Sequence, residues 1–177
     1  MGTARERILD AAEELITSGQ VPPALDAVAA AAGVSKGGLL YHFDKSSLLR
    51  ALVTRAVQRF DERLAAAAAE GLLAAAWLRL SVPEPGERTL YRAMSSMLRL
   101  TATGEFDLPG EVADAEQRWQ QMLATELGDP VRAQVVRLVG DGLFMAALTG
   151  RPPSSAEVEE LLRHLGVRVA APDAARP

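Results

Sequence analysis

The chain has 177 residues, a formal net charge of −4 and no cysteine, which excludes a disulfide framework, a thiolate metal site and a cysteine nucleophile. Residues 1–50 contain five basic and six acidic side chains, so any binding of nucleic acid depends on where those bases lie rather than on bulk charge. Ala, Leu, Glu and Arg dominate and apolar residues recur every three to four positions, which predicts an all-α fold of about nine helices.

The first predicted helix begins after Thr3, because Glu6 follows three residues later at the spacing of a capping box. It ends at Gly19, since glycine tolerates the backbone angles that follow a helix. The apolar face of this helix is formed by Ile8, Leu9, Ala12, Leu15 and Ile16. This periodicity indicates that helix 1 packs on a core.

Two short helices are predicted next, separated by a tight turn. The first begins at Pro23 or Ala24 and ends at Gly33, and Ser35 is a natural cap for the second. The glycine provides the turn and Val34 fills the corner between the helices. This arrangement is typical of a helix-turn-helix.

The second short helix is expected to have one buried and one outer side. Leu39 and Phe43, four residues apart, are expected to dock it on the first. Gly37 and Gly38 are poor helix formers that are tolerated where a backbone must come close to a partner. The residues left nearer the outside are Lys36, Gly37, Leu40, Tyr41 and His42.

Asp44 is predicted to cap a long fourth helix that runs into the alanines at 65–69 and connects two domains. Glycine and proline turns then separate five further candidate helices. These helices are Leu72–Leu80, Arg88–Thr101, Pro109–Glu126, Pro130–Leu148 and Ala156–Leu165. We expect a helix-turn-helix domain over residues 1–50, a second helical domain over 51–166 and a disordered tail over 167–177.

The main motif of the chain reads Gly-Val-Ser-Lys-Gly-Gly-Leu-Leu-Tyr-His-Phe-Asp-Lys and spans residues 33–45. It follows the alanine-rich helix at 25–32 and precedes Leu-Leu-Arg-Ala-Leu at 48–52. Over roughly residues 5–52 the chain resembles the DNA-binding domain of the tetracycline-repressor (TetR) family of bacterial transcription regulators. The remaining two thirds resemble that family only in helical layout.

The resemblance implies that the helix at residues 35–42 is a recognition helix that enters the major groove of DNA. Lys36 lies at its N-terminal end, and Tyr41, His42 and Lys45 can donate hydrogen bonds to phosphate. Alternatively, His42 is a neutral packing residue, because its neighbour Tyr41 could make the same contact. The candidate DNA-binding residues are Ser35, Lys36, Gly37, Gly38, Tyr41, His42 and Lys45.

Two positions depart from the family pattern. Pro23 stands where the family has threonine or serine. The first of the two short helices therefore lacks a side-chain cap and a phosphate-binding hydroxyl. After Phe43 the family sequence Phe-Pro-Ser-Lys becomes Phe-Asp-Lys-Ser, which is best explained by one missing residue, with Asp44 as the cap and Lys45 as the family lysine. If the register is kept instead, Ser46 replaces that lysine.

For residues 51–166 the resemblance implies an inducer pocket and a four-helix dimer interface. Bulky apolar side chains suit a cavity for a flat, apolar molecule, although packing in a core is their simpler role. The candidate ligand-binding residues are Trp77, Met94, Met97, Phe106, Trp119, Met122, Phe144 and Asp141.

The last two predicted helices are the candidates for the dimer interface. Residues 131–148 are apolar on more than one face, so their helix must be buried on two sides. The candidate interface residues are Val135, Val139, Gly142, Ala146, Val158, Leu161, Leu162 and Leu165. A monomer with a thicker core is the alternative.

We expect no catalytic residues, metal site or cofactor. Residues 33–37 fit the pattern G-x-S-x-G, but that motif needs a strand-to-helix turn and a triad, and the chain has two histidines and no predicted sheet. Neither His42 nor His164 has a second metal ligand near it in sequence. No segment has a signal-peptide core or the roughly 20 apolar residues of a membrane span, which favours a cytoplasmic protein.

The sequence therefore predicts a homodimeric, ligand-responsive transcriptional regulator that binds double-stranded DNA. A repressor is favoured, released from a palindromic operator by a small, largely apolar inducer. The second hypothesis is a helical small-molecule-binding protein with no operator-specific DNA binding, which the overall acidity and Pro23 keep open. The two hypotheses differ in one observable, an operator-specific complex with DNA.

Overall fold

Helices account for the regular structure in the part of the chain that the structure describes. The structure, a computed structural model, describes residues 2–20, 22–85, 87–88, 91 and 110–170. The eight helices assigned there are α1 Ala4–Thr17, α2 Leu25–Ala31, α3 Lys36–His42, α4 Lys45–Ala69, α5 Leu73–Leu80, α6 Gly110–Leu127, α7 Pro130–Leu148 and α8 Ser155–His164. The all-α prediction is confirmed, while most of the helix predicted over 88–101 lies outside the described residues.

Two compact units divide the chain within α4. The first contains the described residues of Met1–Val57 and Glu84–Val112, and the second contains those of Gln58–Pro83 and Ala113–Pro177. None of the helices assigned in these units is both long and apolar enough to cross a membrane. The functional domains expected from the sequence stay a prediction.

The first unit begins with the predicted reciprocal cap on α1. The amide of Glu6 donates to Oγ1 of Thr3 at 3.2 Å, and the amide of Thr3 donates to Oε2 of Glu6 at 2.7 Å. The helix ends before Gly19, whose φ of +99° lies in the left-handed region. Apolar side chains from α1 to α4 then form one buried core, which includes Ile8, Leu9, Ala12, Ile16, Val28, Ala29, Leu39, Phe43, Leu48 and Leu52.

In the second unit, the short helix α5 packs against α7 and α8. Its N-cap residue makes no side-chain hydrogen bond, and the carboxylate of Glu126 near the end of α6 accepts from the amides of Leu73 and Ala74 instead, each at 2.8 Å. Near the other end, Arg79 forms a two-bond ion pair with Glu159 on α8, at 2.7 and 3.0 Å. Both ends of α5 are therefore held by residues distant in sequence.

α7 approaches α5 closely at Gly140. A Cβ atom on Gly140 would lie 2.2 Å from Nε1 of Trp77 and 2.7 Å from Oγ of Ser81. Nε1 of Trp77 donates to the carbonyl oxygen of Arg137 at 3.4 Å, which holds the ring beside α7. Glycine is therefore required at position 140 for this packing.

Within this chain, α7 buries one of its two apolar faces. The buried side is formed by Ala133, Val136, Gly140, Leu143 and Ala147. On the opposite side, the exposed fractions are 70% for Val131, 43% for Val135, 52% for Leu138 and 55% for Met145. One of the two expected buried sides is therefore buried within the chain, and burial of the other by a second copy stays a prediction. We call the other side, which has Leu138 at its middle and also includes Gly142, the exposed face of α7.

The segment directly after α8 packs on the second unit as far as Val167, while residues 168–170 are exposed. Val167, expected in a disordered tail, is 7% exposed and belongs to the core of the second unit. The guanidinium of Arg132 donates to the carbonyl oxygens of Leu165 at 2.7 Å and Gly166 at 2.6 Å, which ties this segment to the start of α7. Residues 171–177 lie outside the described part of the chain.

Candidate nucleic-acid interface

The turn between α2 and α3 has the geometry that the sequence predicts. Gly33 has a φ of +63°, and Val34 is partly buried against the core. Oγ of Ser35 accepts a hydrogen bond from the amide of Gly38 at 3.0 Å and so caps α3. The position of α3 relative to α2 is therefore that of a helix-turn-helix.

α3 divides into an inner and an outer side, as predicted. Leu39 is fully buried and Phe43 is 4% exposed, so these two residues hold α3 on the core. Leu40 is 49% exposed and Tyr41 87% exposed, and the rings of Tyr41 and His42 meet edge to face with centroids 5.2 Å apart. Leu40 was not among the candidate residues, although its apolar tip can contact a thymine methyl group in the major groove.

The two glycines of α3 differ in their surroundings. A Cβ atom on Gly37 would meet no atom within 4 Å, whereas one on Gly38 would lie 3.2 Å from Oγ of Ser35. The fold itself therefore has room for a larger residue at position 37. Because glycine has no side chain, the backbone of α3 at this position stays accessible to a partner.

Lys36 contacts a carboxylate that the motif did not single out. Nζ of Lys36 lies 3.0 Å from Oδ1 and 3.2 Å from Oδ2 of Asp26, in the first turn of α2. The side chains are 65% and 71% exposed. Ten positions separate them in sequence, so no local spacing rule finds this pair. Only the fold of the helix-turn-helix brings the two charges together.

Asp44 caps α4, as predicted. Oδ1 of Asp44 accepts from the amide of Ser47 at 2.7 Å, and Oγ of Ser47 accepts from the amide of Asp44 at 2.9 Å. The hydrogen bond from the Ser47 side chain, with that from its backbone, lowers the pKa of Asp44 below its usual value. Lys45 therefore stands exposed as the first residue of α4, while Ser46 is half-buried.

The start of α2 lacks the hydroxyl that the family pattern supplies. Its N-cap is Ala24, which makes no side-chain hydrogen bond, and Pro23 is buried. The expected loss of a side-chain cap is confirmed. Any phosphate at this end would be bound by backbone amides alone.

Two arginines of α1 contact the helix-turn-helix. Nε of Arg7 donates to the carbonyl oxygen of Ala32 at 3.3 Å, and the guanidinium carbon of Arg5 lies 5.1 Å from the ring centroid of Phe43. The first contact satisfies a carbonyl at the end of α2, and the second is a cation–π interaction. These two arginines therefore help to pack α1 against the helix-turn-helix.

In the second unit, Trp77 and Trp119 form an aromatic cluster with Phe60. The ring centroids are 5.6 Å apart for Phe60 and Trp77, 5.0 Å for Phe60 and Trp119, and 5.8 Å for the two tryptophans. Nε1 of Trp119 donates to Asp61, which also pairs with Arg118 at 2.7 Å. Phe60 and Asp61 lie on α4 and carried no motif that would have identified them.

The other candidate ligand residues are less closely grouped. Met122 is half-buried against the core of the second unit, and Phe144 is half-buried on α7. Asp141 pairs with Arg137 at 2.7 Å; partial burial raises the pKa of Asp141 and the arginine opposes this effect. The candidates that fall outside the described residues are Met94, Met97 and Phe106.

The candidate interface residues of α7 lie at the surface or near it. Val135 and Gly142 belong to the exposed face of α7, and Val139 and Ala146 are half-buried. Sequence reasoning missed three further residues of that face, although together with Val135 and Gly142 they repeat at alternating steps of four and three. These residues are Val131, Leu138 and Met145.

The candidate interface residues of α8 require a correction. Val158 is 4% exposed and Leu162 is fully buried, because both pack into the core of the second unit. These two side chains stabilise the protomer and do not line its surface. Leu161 and Leu165 are half-buried beside them.

Two family profiles match the sequence. Residues 8–52 match the profile of bacterial regulatory proteins of the tetR family, and residues 71–167 match that of the tetracyclin repressor-like C-terminal domain. No curated protein matches the chain significantly.

Three solved structures resemble the whole chain. A TetR-family member from Streptomyces coelicolor A3 is 26% identical, with 95% of this chain and 100% of that chain covered and a TM-score of 0.66. The multidrug binding protein EbrR, complexed with imidazole, is 26% identical, with 97% and 98% covered and a TM-score of 0.62. NalD, the secondary repressor of the MexAB-OprM multidrug efflux pump in Pseudomonas aeruginosa, is 21% identical, with 92% and 94% covered and a TM-score of 0.50, and supports the fold alone.

Proposed function

The chain belongs to the tetR family of bacterial regulatory proteins, and from this premise we propose that it is a homodimeric repressor that leaves a palindromic operator when a small, largely apolar molecule binds. As a member of that family it is a DNA-binding transcriptional regulator and not an enzyme. The G-x-S-x-G pattern at 33–37 is then a coincidence, since it forms the turn and cap between two helices.

The observation that carries the DNA-binding part of the proposal is the outer side of α3. It presents Lys36 at the helix start, an open surface at Gly37 and the exposed ring of Tyr41, with Lys45 close behind at the start of α4. Lysine and tyrosine donors suit phosphate and base-edge acceptors. Because the unit has few bases, those of α3 and α4 carry a large share of the contact with DNA.

The exposed face of α7 supports the homodimer. Its residues follow alternating steps of four and three, the spacing at which helices pack side by side along their length. Four exposed large apolar side chains around Gly142 form a surface that a soluble protein normally covers. A second copy of α7 covers it symmetrically, and the dimer then holds two α3 helices about 34 Å apart in successive major grooves.

The aromatic cluster of Phe60, Trp77 and Trp119 supports an apolar inducer. Phe60 meets both tryptophans edge to face, and aromatic side chains of this kind commonly line sites for apolar or aromatic ligands. The related EbrR binds multiple drugs, which favours the same class of ligand here. Since Phe60 lies on α4, which contributes to both units, ligand binding there can change the position of α3.

The inducer has to discriminate between two states of the protein. To move the population from mostly DNA-bound to mostly released, it must prefer the released state by about 5 kcal/mol. That preference has to come from contacts made in only one arrangement of the second unit.

A DNA selection followed by gel shift tests the proposal. Duplexes recovered from a random pool by the wild-type protein should contain an inverted repeat, and binding should tighten at lower salt. Lys45→Ala should weaken binding to all duplexes alike and flatten the salt dependence by about one unit. Recovery of no common sequence at low salt would show instead a helical small-molecule-binding protein without operator recognition.

A further inference from the structure

The ion pair between Asp26 and Lys36 places an acidic group on the DNA-facing side of the helix-turn-helix. Nζ of Lys36 is nearly equidistant from the two carboxylate oxygens of Asp26, at 3.0 and 3.2 Å. Both side chains remain more than half exposed, and Lys36 is the first residue of α3, so the carboxylate lies beside the end of the helix that the proposed function places against DNA. In the free protein Lys36 therefore already has a carboxylate partner.

DNA phosphates must compete with Asp26 for Lys36. A lysine ammonium group is a compact charge on a flexible stem, so it can exchange one oxygen partner for another. If it does so, the freed carboxylate of Asp26 is left facing a negatively charged backbone, which disfavours the exchange. On random DNA, where no base edge accepts a hydrogen bond from Lys36, the ion pair with Asp26 is expected to stay intact.

We propose that Asp26 is a built-in competitor that keeps Lys36 from contributing to the binding of random DNA. Lys36 leaves Asp26 when α3 enters the major groove, because hydrogen-bond acceptors on the base edges then attract its ammonium group in addition to the phosphates. Asp26 is thus a positioning residue that acts through Lys36. This inference rests on DNA binding by α3 and not on the inducer or on a palindromic operator.

A double-mutant cycle on random DNA tests the inference. Asp26→Asn keeps the size of the side chain and removes its charge, and it should tighten binding to a random 30-base-pair duplex by about fivefold, the upper range for release of an exposed ion pair. In a Lys36→Met background the same change should tighten binding less than about twofold. Glu14→Gln, an exposed carboxylate on α1, serves as the matched control for net charge.

The salt dependence provides an independent readout. In the wild-type background Lys36→Met should leave the salt slope on random DNA nearly unchanged, because Lys36 stays paired with Asp26. In the Asp26→Asn background Lys36→Met should flatten the slope by about one unit, as expected for loss of one phosphate contact. Asp26→Glu retains the carboxylate and should behave like wild type, and circular dichroism of every variant excludes loss of the fold as the cause.

Two results would overturn the inference. Equal tightening by Asp26→Asn with and without Lys36 would mean that Asp26 acts as a plain negative charge. Weaker binding by the Asp26→Asn variant would mean that the carboxylate positions Lys36 for contact with DNA and does not compete with DNA for it. Absence of any complex between the wild type and DNA would instead refute the DNA-binding part of the proposed function.

Discussion

At the scale of single residues, Gly37 is a position where the stability of the fold and the proposed binding of DNA favour different residues. A methyl group at this position would meet no protein atom within 4 Å, and the residue lies in the first turn of a helix. Alanine is a better helix former than glycine, so stability alone would favour alanine here. The proposed close approach of DNA to α3 would account for the glycine.

Replacing Gly37 with alanine should therefore have opposite effects on stability and on binding. Gly37→Ala is expected to raise the free energy of unfolding by up to about 1 kcal/mol, measured in urea. It should weaken binding to a selected operator by about three- to tenfold, because the methyl group keeps DNA from the backbone. Tighter or unchanged binding by this variant would mean that α3 does not approach DNA through Gly37.

At the scale of secondary-structure elements, the ends of helices were the most predictable feature of the fold. The caps at Thr3, Ser35 and Asp44 are made by residues within three positions of each other, so the sequence contains the whole interaction. The contacts that hold α5 were not predictable in this way, since Glu126 and Glu159 reach it from distant helices. For the same reason, motif matching found Lys36 in the candidate site and missed its partner.

The cap on α4 should give a distinct pH dependence. The pKa of Asp44 is lowered in the folded protein by hydrogen bonds from Ser47, so its contribution to stability is present above the unfolded value of 3.8 and is lost as the pH falls through the folded value. Asp44→Asn should be less stable than wild type above about pH 5, and the difference should close below pH 3.8 in urea unfolding series. A difference that is constant down to pH 2.5 would exclude a role for the Asp44 charge.

Two glycines of α7 form a matched pair for testing its two faces. Gly140→Ala places a methyl group against Trp77 and Ser81, so it should lower the free energy of unfolding by about 1–3 kcal/mol. Gly142→Ala meets no atom within 4 Å, so the helix itself should tolerate it, but it should weaken the proposed dimer by crowding the exposed face of α7. Thermal unfolding at low concentration and sedimentation equilibrium separate these effects. Equal destabilisation by the two changes would contradict the assignment of the faces.

At the scale of the whole molecule, the proposed dimer would determine whether two weak contacts with DNA combine into strong binding. A single unit with net charge −1 over its first fifty residues has little attraction for phosphate, but two linked units bind with a high effective concentration at the second half-site. The sequence predicted this assembly through the family resemblance. Of the exposed face of α7 it identified Val135 and Gly142 but not Val131, Leu138 and Met145, because apolar residues on both faces of that helix obscure the spacing.

Leu138→Glu should convert the protein to a monomer. Leu138 is 52% exposed at the middle of the exposed face of α7, and pairing two copies would bury an unpartnered carboxylate at a high cost in free energy. We expect a halved mass in sedimentation and loss of operator binding, with unchanged helicity. The control Gln121→Glu adds the same charge at an exposed position of α6, outside the exposed face of α7, and should have a much smaller effect. A dimeric Leu138→Glu protein would place the interface elsewhere.

The cap that Glu126 provides for α5 also determines when this helix can become stable during synthesis. The amide of Leu73 leaves the ribosome 53 residues before its acceptor on Glu126. At about 5–20 residues per second, that interval lasts about 3–10 s. During that time the eight residues of α5 have neither this cap nor the partner of Arg79, so nascent chains halted before Glu126 should digest readily within α5 and become resistant once α6 and α8 have been translated.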